Sequence, residues 1–182
     1  MEIVPAPESR HPWGSADTPY EELGGDGAVR LLVETFYDIV EAESTVLRAM
    51  LPKDTSTSRQ KLYEFLSGWL GGPPLYMERR GHPRLRMRHI PFDIGSFEAE
   101  EWMRCMVKAI ETVGPGAQLA SFLEVELGRS ALDMRNRPDP GVIVPTVGTH
   151  RLTIGNAASV LDLEPAEENR GVDGQGGGVG GD

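Results

Sequence analysis

The stretch between Gly71 and Gly95 concentrates the side chains that could do chemistry. It holds two histidines and five arginines, and no acidic residue lies between Glu78 and Asp93. The arginines are Arg79, Arg80, Arg84, Arg86 and Arg88. Because the chain carries a formal net charge of −10, a local basic run needs its own explanation. It is either a solvated basic face or a site for an anion, since arginine forks match carboxylates and phosphates bidentately.

The four histidines narrow the chemistry further. His11 and His150 lie in the terminal segments, and His82 lies in a Gly-His-Pro turn. Only His89 sits among hydrophobic residues, in the run Leu85-Arg-Met-Arg-His-Ile-Pro-Phe92. A histidine in that setting is either a hydrogen-bonded core residue, which is the commoner case, or a metal ligand.

Several other kinds of site are poorly supported. The single cysteine, Cys105, excludes an intrachain disulfide and any cysteine-built zinc or iron–sulfur site. His82 and His89 lack convincing further ligands for zinc. A hydrolase would need a Gly-x-Ser-x-Gly motif, which the sequence lacks. The run Gly24-Gly-Asp-Gly27 has no phosphate-loop lysine and is interpreted as a turn.

Four amphipathic helices are predicted to position these side chains. Apolar residues recur at helical spacing in residues 29–40, 62–70, 102–113 and 119–134. Ser56 or Ser58 is expected to cap the second helix. Glycine and proline pairs separate the helices, and no segment alternates for long enough to predict a strand. The pattern predicts an all-α fold with a long irregular connection from about Gly71 to Gly95.

Composition divides the 182 residues into one domain and two tails. Residues 1–18 are polar and rich in proline and glycine, and residues 139–182 hold ten of the 22 glycines. Both segments are predicted to be disordered, since they cannot bury enough apolar surface to offset their ordering entropy. The folded domain is predicted to span residues 19–138. Scattered apolar residues in Val142–Leu163 leave open a weak docking of that stretch on the domain.

The charge and the termini limit the partners and the location. The tails carry −7 of the net charge of −10, and an acidic chain is a poor ligand for nucleic acid or anionic lipid. No run reaches the roughly 18 apolar residues that span a bilayer. The N-terminus has neither the basic nor the apolar region of an export signal. These features predict a cytoplasmic protein.

Heme suits an all-α core that contains a single histidine among hydrophobic residues. The cofactor needs one axial imidazole, a flat apolar slot and basic side chains for its two propionates. His89, the bulky apolar residues and the nearby arginines meet these requirements. The residues by themselves therefore favour heme as the cofactor.

Several runs of the sequence carry a family resemblance. They are Tyr20-Glu-Glu-Leu-Gly-Gly25 with Phe36-Tyr37, Phe65-Leu-Ser-Gly-Trp-Leu-Gly-Gly-Pro73 with Tyr76, Arg80-Gly-His-Pro-Arg-Leu-Arg-Met-Arg-His-Ile-Pro-Phe92, and Glu101-Trp-Met-Arg-Cys-Met106. Together they resemble the group II truncated hemoglobins over residues 19–138, without the tails. The resemblance implies a two-over-two helical sandwich around heme b, with His89 as the proximal iron ligand.

The same resemblance implies the walls of the distal pocket. In the family, the residues at the positions of Tyr37 and Trp102 donate hydrogen bonds to the gas, which suits O₂ because it gains partial negative charge on binding. Ser58 matches a small residue where other globins carry a gating histidine, or else caps its helix. Leu62 matches the apolar residue above the ring. Further apolar or aromatic contacts with heme are expected from Phe36, Phe65, Phe92 and Met106.

One distal position departs from the family pattern. Leu51 aligns with a place where the family usually has tyrosine, histidine or phenylalanine, and leucine has no hydrogen-bond donor. A distal network of three donors is therefore not expected. Because the alignment depends on a one-residue shift in the preceding loop, Met50 is the alternative occupant of this position.

The propionates have a separate set of expected partners. The resemblance indicates Lys61, Tyr76, Arg80 and one of Arg86 and Arg88. Lys61 has the alternative of a solvated position on its helix, and the sequence does not fix which arginines reach a propionate.

Two uses of the heme follow from the resemblance. The first is reversible binding of O₂ and related gases at a pentacoordinate iron, for transport, scavenging or sensing. The alternative is an enzyme that carries out nitric oxide dioxygenation or peroxide-dependent oxidation, for which an external reductase would supply electrons. Candidate partners are therefore O₂, CO, NO, peroxide, a reductase and a second copy of the chain. A third hypothesis is a heme-free helical module that binds through its tails.

Overall fold

The computed structural model describes residues 10–139, and the regular structure within that range is helical. The helices, in chain order, are α1 (Pro19–Leu23), α2 (Asp26–Glu43), α3 (Thr45–Met50), α4 (Ser56–Trp69), α5 (Leu75–Arg80), α6 (Leu85–His89), α7 (Ser96–Val113) and α8 (Ala117–Asp133). An isolated bridge between His11 and Gly14 is the β-type pairing found in this range. The predicted all-α fold class is confirmed.

Four long helices form the body of the domain. Helix α2 packs against both α4 and α7, and α7 packs against α8. The pairs α2/α4 and α7/α8 make up the two-over-two arrangement. Helix α2 buries the apolar stripe that its sequence periodicity predicts, at residues 29, 32, 33, 36, 37 and 40, whereas α4 is buried on all sides over residues 61–67.

The connection from Gly71 to Gly95 is more ordered than its sequence suggests. It contains α5 and α6, of six and five residues, so the prediction of a wholly irregular connection is wrong. Helices this short show too little periodicity to be recognised, and they depend on tertiary contacts for stability. Tyr76 supplies the buried contact of α5 and His89 that of α6.

The start of α4 also differs from the prediction. Thr55 occupies the N-cap position, and its hydroxyl donates to the Glu41 carboxylate at 2.5 Å instead of capping the helix. The carboxylate of Asp54 accepts from the Ser56 N–H at 2.9 Å. Neither Ser56 nor Ser58 is therefore the cap, and Ser58 is buried in the first turn of the helix.

Part of the N-terminal segment that was expected to be disordered packs on the helices. The Trp13 ring lies 5.3 Å from the Phe122 ring of α8, edge to face. The Glu22 carboxylate accepts hydrogen bonds from the backbone N–H groups of Ser15 and Ala16, at 3.0 and 2.8 Å. Single contacts of this kind leave no periodic signal in a sequence, which is why composition alone favours disorder here.

The remaining parts of the two tails, residues 1–9 and 140–182, lie outside the described residues, and so does the stretch Val142–Leu163. The limits of the domain therefore stay a prediction. Within residues 10–139, each helix is too short or too polar to cross a lipid bilayer.

Candidate functional site

His89 ends α6 and is almost completely buried, at 1% exposure. Its Nδ1 lies 2.6 Å from the carbonyl oxygen of Leu85. Because a carbonyl oxygen only accepts, Nδ1 carries a proton, and in the neutral form of the ring Nε2 therefore has the lone pair. A backbone carbonyl commonly orients a metal-ligating histidine in this way. The local helix geometry thus prepares the imidazole to bind a metal through Nε2.

His82, the other histidine of the basic stretch, has different surroundings. It is exposed, and its Nδ1 accepts a hydrogen bond from the Arg84 N–H at 3.2 Å. This contact lies within the turn that its Gly-His-Pro sequence predicts. Among the histidines of residues 10–139, burial therefore selects His89.

Tyr37 and Trp102 line one small cavity of about 10 Å³ between α2, α3 and α7. The other residues around it are apolar, namely Phe36, Val40, Leu47, Met50 and Leu51. Met50 and Leu51 both contribute to the wall, so the cavity does not choose between the two alternatives for the distal position that departs from the family pattern. Two of the side chains that line the cavity therefore carry a hydrogen-bond donor, and the others carry none.

The indole N–H of Trp102 is a buried donor without an acceptor among residues 10–139. The side chain is 3% exposed, so solvent is a poor substitute. Leaving a buried donor unsatisfied costs about 1–3 kcal/mol. A donor retained at that cost beside a cavity is typical of a site that a ligand completes.

Arg59 contacts a predicted site residue, and the sequence gives no signal for this contact. Its guanidinium carbon lies 5.3 Å from the centre of the Tyr37 ring, within the range of a cation–π interaction. Ion pairs with Glu34, Asp38 and Glu41, at 2.6, 2.8 and 3.2 Å, hold the guanidinium there. The partners come from α2 and the arginine from α4, so their meeting depends on the tertiary fold and leaves no local motif.

Lys61 of α4 is 8% exposed, and no carboxylate among residues 10–139 pairs with its ammonium group. Lysine is seldom buried to this degree without an anionic partner. The stem of Lys61 is therefore packed against the domain, while its ammonium group keeps contact with solvent and is open to an anion. An anionic group such as a propionate fits this position.

Glu64, one turn further along α4, binds two of the five arginines. Its oxygens accept from Arg79 and Arg80 at 2.8 and 2.6 Å, and from Gln60 at 2.9 Å. Burial raises the pKa of Glu64, but the hydrogen bonds from Arg80, Gln60 and Arg79 outweigh it and hold the pKa below its ordinary value. The Nε of Arg80 is thus engaged, and its terminal nitrogens are what it can offer to a propionate.

Tyr76 and Arg88 come together on the same side of the domain. Tyr76 is buried, with its ring 6.3 Å from that of Phe65. The guanidinium carbon of Arg88 lies 5.9 Å from the Tyr76 ring centre, and its Nε donates to the Pro83 carbonyl at 3.0 Å. Arg86 is exposed. Of the two alternatives left by the sequence, the geometry therefore favours Arg88.

The remaining predicted contacts lie in or next to the core. Leu62, Phe36 and Met106 are at most 4% exposed, and the Phe92 ring lies 6.4 Å from the His89 ring. Phe65 and Tyr76 also line a groove of about 770 Å³, a volume in the range of cofactor pockets. Of the predicted cofactor contacts, Phe65 and Tyr76 thus line the groove, whereas Phe36, Leu62 and Met106 lie in the packed core.

Comparison with known proteins decides the family. Residues 18–136 match the family model of the bacterial-like globins. The Group 2 truncated hemoglobin YjbI of Bacillus subtilis is 39% identical over 125 residues, which are 69% of this chain and 93% of that protein. The chain is a truncated hemoglobin of group II.

Solved structures of related proteins share the fold of this truncated hemoglobin. The group II truncated hemoglobin of Bacillus anthracis is 36% identical and superposes with a TM-score of 0.66, covering 71% of this chain and 98% of that one. A truncated haemoglobin of Bacillus subtilis is 40% identical with a TM-score of 0.63, covering 66% of this chain and 100% of that one. Both likenesses cover nearly the whole of the solved chain, so they concern the domain and not a fragment of it.

Truncated hemoglobins bind heme b, and the residues of this one fit the cofactor. His89 offers a buried imidazole nitrogen whose tautomer is fixed by Leu85. Lys61 offers a cation whose stem is buried and which lacks an anion among the described residues, and Trp102 offers an indole N–H that lacks an acceptor there. These three features fit an iron, a propionate and a diatomic ligand respectively, and membership of the family makes the chain a heme globin that binds ligands.

Proposed function

We propose that this truncated hemoglobin binds O₂ reversibly at a pentacoordinate heme b, with His89 as the proximal ligand and Tyr37 and Trp102 as the distal donors. The observation that carries the proposal is the buried Trp102 N–H, which lacks an acceptor among residues 10–139 and belongs to a side chain that lines the same cavity as Tyr37. When bound, heme supplies a ferrous iron that takes up diatomic gases reversibly.

The proximal part of the proposal depends on α6. The hydrogen bond from Nδ1 of His89 to the Leu85 carbonyl fixes the ring orientation and makes Nε2 more basic. Burial of the ring keeps water away from that nitrogen. His89 therefore presents a neutral, oriented imidazole in the state that binds iron.

The distal part of the proposal rests on two donors in an apolar cavity. O₂ becomes polarised on binding and accepts hydrogen bonds from the Tyr37 hydroxyl and the Trp102 indole, each worth about 1.5–3 kcal/mol if charge-assisted. CO is less polar on binding and gains less from the same donors. The related truncated haemoglobin of Bacillus subtilis was solved as an oxygen-avid protein, which supports this preference.

We infer an open sixth position from the family resemblance. It puts Ser58 and Leu62 on the distal side, and neither side chain offers a nitrogen ligand. Lys61, Tyr76 and Arg88, with the terminal nitrogens of Arg80, are proposed to hold the propionates at the rim. The position above the iron is thereby left to the gas.

Stopped-flow kinetics on the ferrous protein test the proposal against the enzymatic alternative. We expect O₂ to be released intact over repeated cycles. Its release should be slower than it would be from a pocket without the two donors. Rapid oxidation of the protein by nitric oxide in the presence of O₂, or sustained peroxide turnover with an added reductant, would instead assign the chain to catalysis.

A further inference from the structure

The segment that follows α8 crosses the chain between α6 and α7. The backbone N–H groups of Asn136 and Arg137 both donate to the carbonyl oxygen of Ile94, at 2.9 and 3.1 Å. The Arg137 guanidinium pairs with Glu98 at 3.1 Å. The end of the described chain is thus fastened to the connection that begins at the proximal histidine.

Within this segment the Asn136 side chain uses all of its polar groups. Its Nδ2 donates to the carbonyl oxygens of His89 and Phe92, at 2.8 and 2.6 Å. Its Oδ1 accepts from the backbone N–H of Ile94 at 3.0 Å. A carboxamide has two N–H donors and one carbonyl acceptor, and each of them here serves the stretch 89–94.

Besides the Asn136 contacts, short turn bonds fix the C-terminal end of helix α6: the Phe92 N–H donates to the His89 carbonyl and the Ile94 N–H donates to the Phe92 carbonyl, each at 3.1 Å. The helix has five residues, which is too short for independent stability. Met87 and Ile90 are 62% and 65% exposed, so apolar packing does not hold its outer face. The last carbonyl groups of a helix have no partner within the helix, and Asn136 supplies the long-range partner of the His89 carbonyl, in addition to the local Phe92 N–H. The amide is therefore placed to determine where the histidine backbone lies.

We propose that Asn136 is a positioning residue for the proximal histidine. The inference rests on the proposed role of His89 as the iron ligand. Asn136 acts through the backbone: its two donors hold the carbonyl groups of residues 89 and 92, and its acceptor holds the amide of residue 94. The rigid turn that results keeps the position and the orientation of the His89 imidazole constant.

Two substitutions of Asn136 separate positioning from simple loss of contact. Asn136→Ala removes the side-chain bonds, and Asn136→Asp keeps the shape but sets a carboxylate against two carbonyl oxygens. Asn136 itself is exposed, so neither change leaves a buried cavity. Arg137→Ala is the matched control, because it releases the same segment from Glu98 without touching residues 89–94.

The measurements use the full-length protein. In the heme-free protein, hydrogen exchange reports the protection of the Ile94 amide. In the loaded protein, hemin transfer to excess apomyoglobin reports retention, and resonance Raman spectroscopy of the ferrous state reports the iron–histidine stretching band. We expect Asn136→Ala to speed Ile94 exchange, to accelerate hemin loss by about tenfold for two to three lost hydrogen bonds, and to shift or broaden the band. Asn136→Asp should do the same more strongly.

The control decides between the outcomes. Arg137→Ala should stay within twofold of the parent for hemin loss and should leave the band unchanged. Equal effects from Asn136→Ala and Arg137→Ala, or an unchanged band in both Asn136 variants, would overturn the inference. If either variant is insoluble, Asn136→Ser, which keeps one donor, should give an intermediate band shift, and an unshifted band would again count against positioning. Should His89→Ala keep its heme, the proposed function fails instead, independently of these results.

Discussion

Tyr37→Phe tests the distal donors with the least disturbance of the packing. Tyr37 is 1% exposed, and its ring lies 5.2 Å from the Phe36 ring centre and 5.3 Å from the Arg59 guanidinium carbon. Phenylalanine keeps the volume of the ring and its face toward the guanidinium, so the free energy of unfolding should change by less than about 1.5 kcal/mol. The substitution then isolates the hydroxyl group.

The magnitude follows from the hydrogen bond that the hydroxyl donates. A hydrogen bond to a polarised ligand is worth about 1.5–3 kcal/mol, and each 1.36 kcal/mol is a factor of about ten in rate. Loss of the Tyr37 hydroxyl should therefore speed O₂ dissociation by about one to two decades. We expect the lower part of this range, because Trp102 lines the same cavity and still donates.

The assay is O₂ displacement by CO in a stopped-flow instrument, with CO displacement by NO as the control for polarity. CO dissociation should change much less than O₂ dissociation. Combining Tyr37→Phe with Trp102→Phe should give a non-additive change in log rate, since both donors serve one ligand. The Trp102 change also leaves a gap in the core, so its single effect mixes polarity with cavity formation. If Tyr37→Phe releases O₂ within twofold of the parent rate, the tyrosine is a packing residue and the reasoning is refuted.

Three further predictions concern charge and packing around the site. Lys61→Met should leave the heme-free protein as stable as the parent or more so, but should speed hemin loss about fivefold, since a partly exposed ion pair is worth on the order of 1 kcal/mol; equal hemin retention would show that Lys61 has no propionate partner. The hydrogen bond from Arg104 lowers the pKa of Glu101 from its ordinary 4.5 to about 2. The stabilisation is therefore present above pH 4.5 and is lost as pH falls toward 2, so urea unfolding of Glu101→Gln should depend less on pH across that window than unfolding of the parent does. Trp13→Ala should lower the free energy of unfolding by about 1–3 kcal/mol by removing the contact with Phe122, and an unchanged midpoint would place residues 10–18 outside the cooperative unit.

The long helices could be predicted because their periodicity is local. The apolar positions of residues 29–40 are those that α2 buries, and most of those predicted for α7 and α8 are buried too, whereas α4 also buries polar residues such as Lys61 and Glu64. His89 stands out in the sequence for a similar reason, as the histidine that hydrophobic neighbours surround. The family motifs then extend this local information to the order of the helices and to the cofactor.

Other features depend on partners that are far apart in the chain. Asn136 meets His89 across 47 positions, Arg59 meets Glu34 across 25, and Arg80 meets Glu64 across 16. Exposed polar residues of these types occur throughout the sequence, so type and spacing do not mark them. The arginines are an example, because their charge predicts an anion site but does not say which of them form it. In the structure Arg79 and Arg80 pair with the buried Glu64, and Arg88 lies beside Tyr76.

The heme content and ferrous spectrum of purified His89→Ala test the central claim most directly, with His82→Ala as the matched histidine control. His82 is exposed and lies within a turn, so its variant should keep the parent spectrum and one heme per chain. His89→Ala should lose stoichiometric heme or should hold it only when imidazole is added. Normal heme content with an unchanged ferrous spectrum in His89→Ala would contradict the assignment of the proximal ligand, and with it the proposed site.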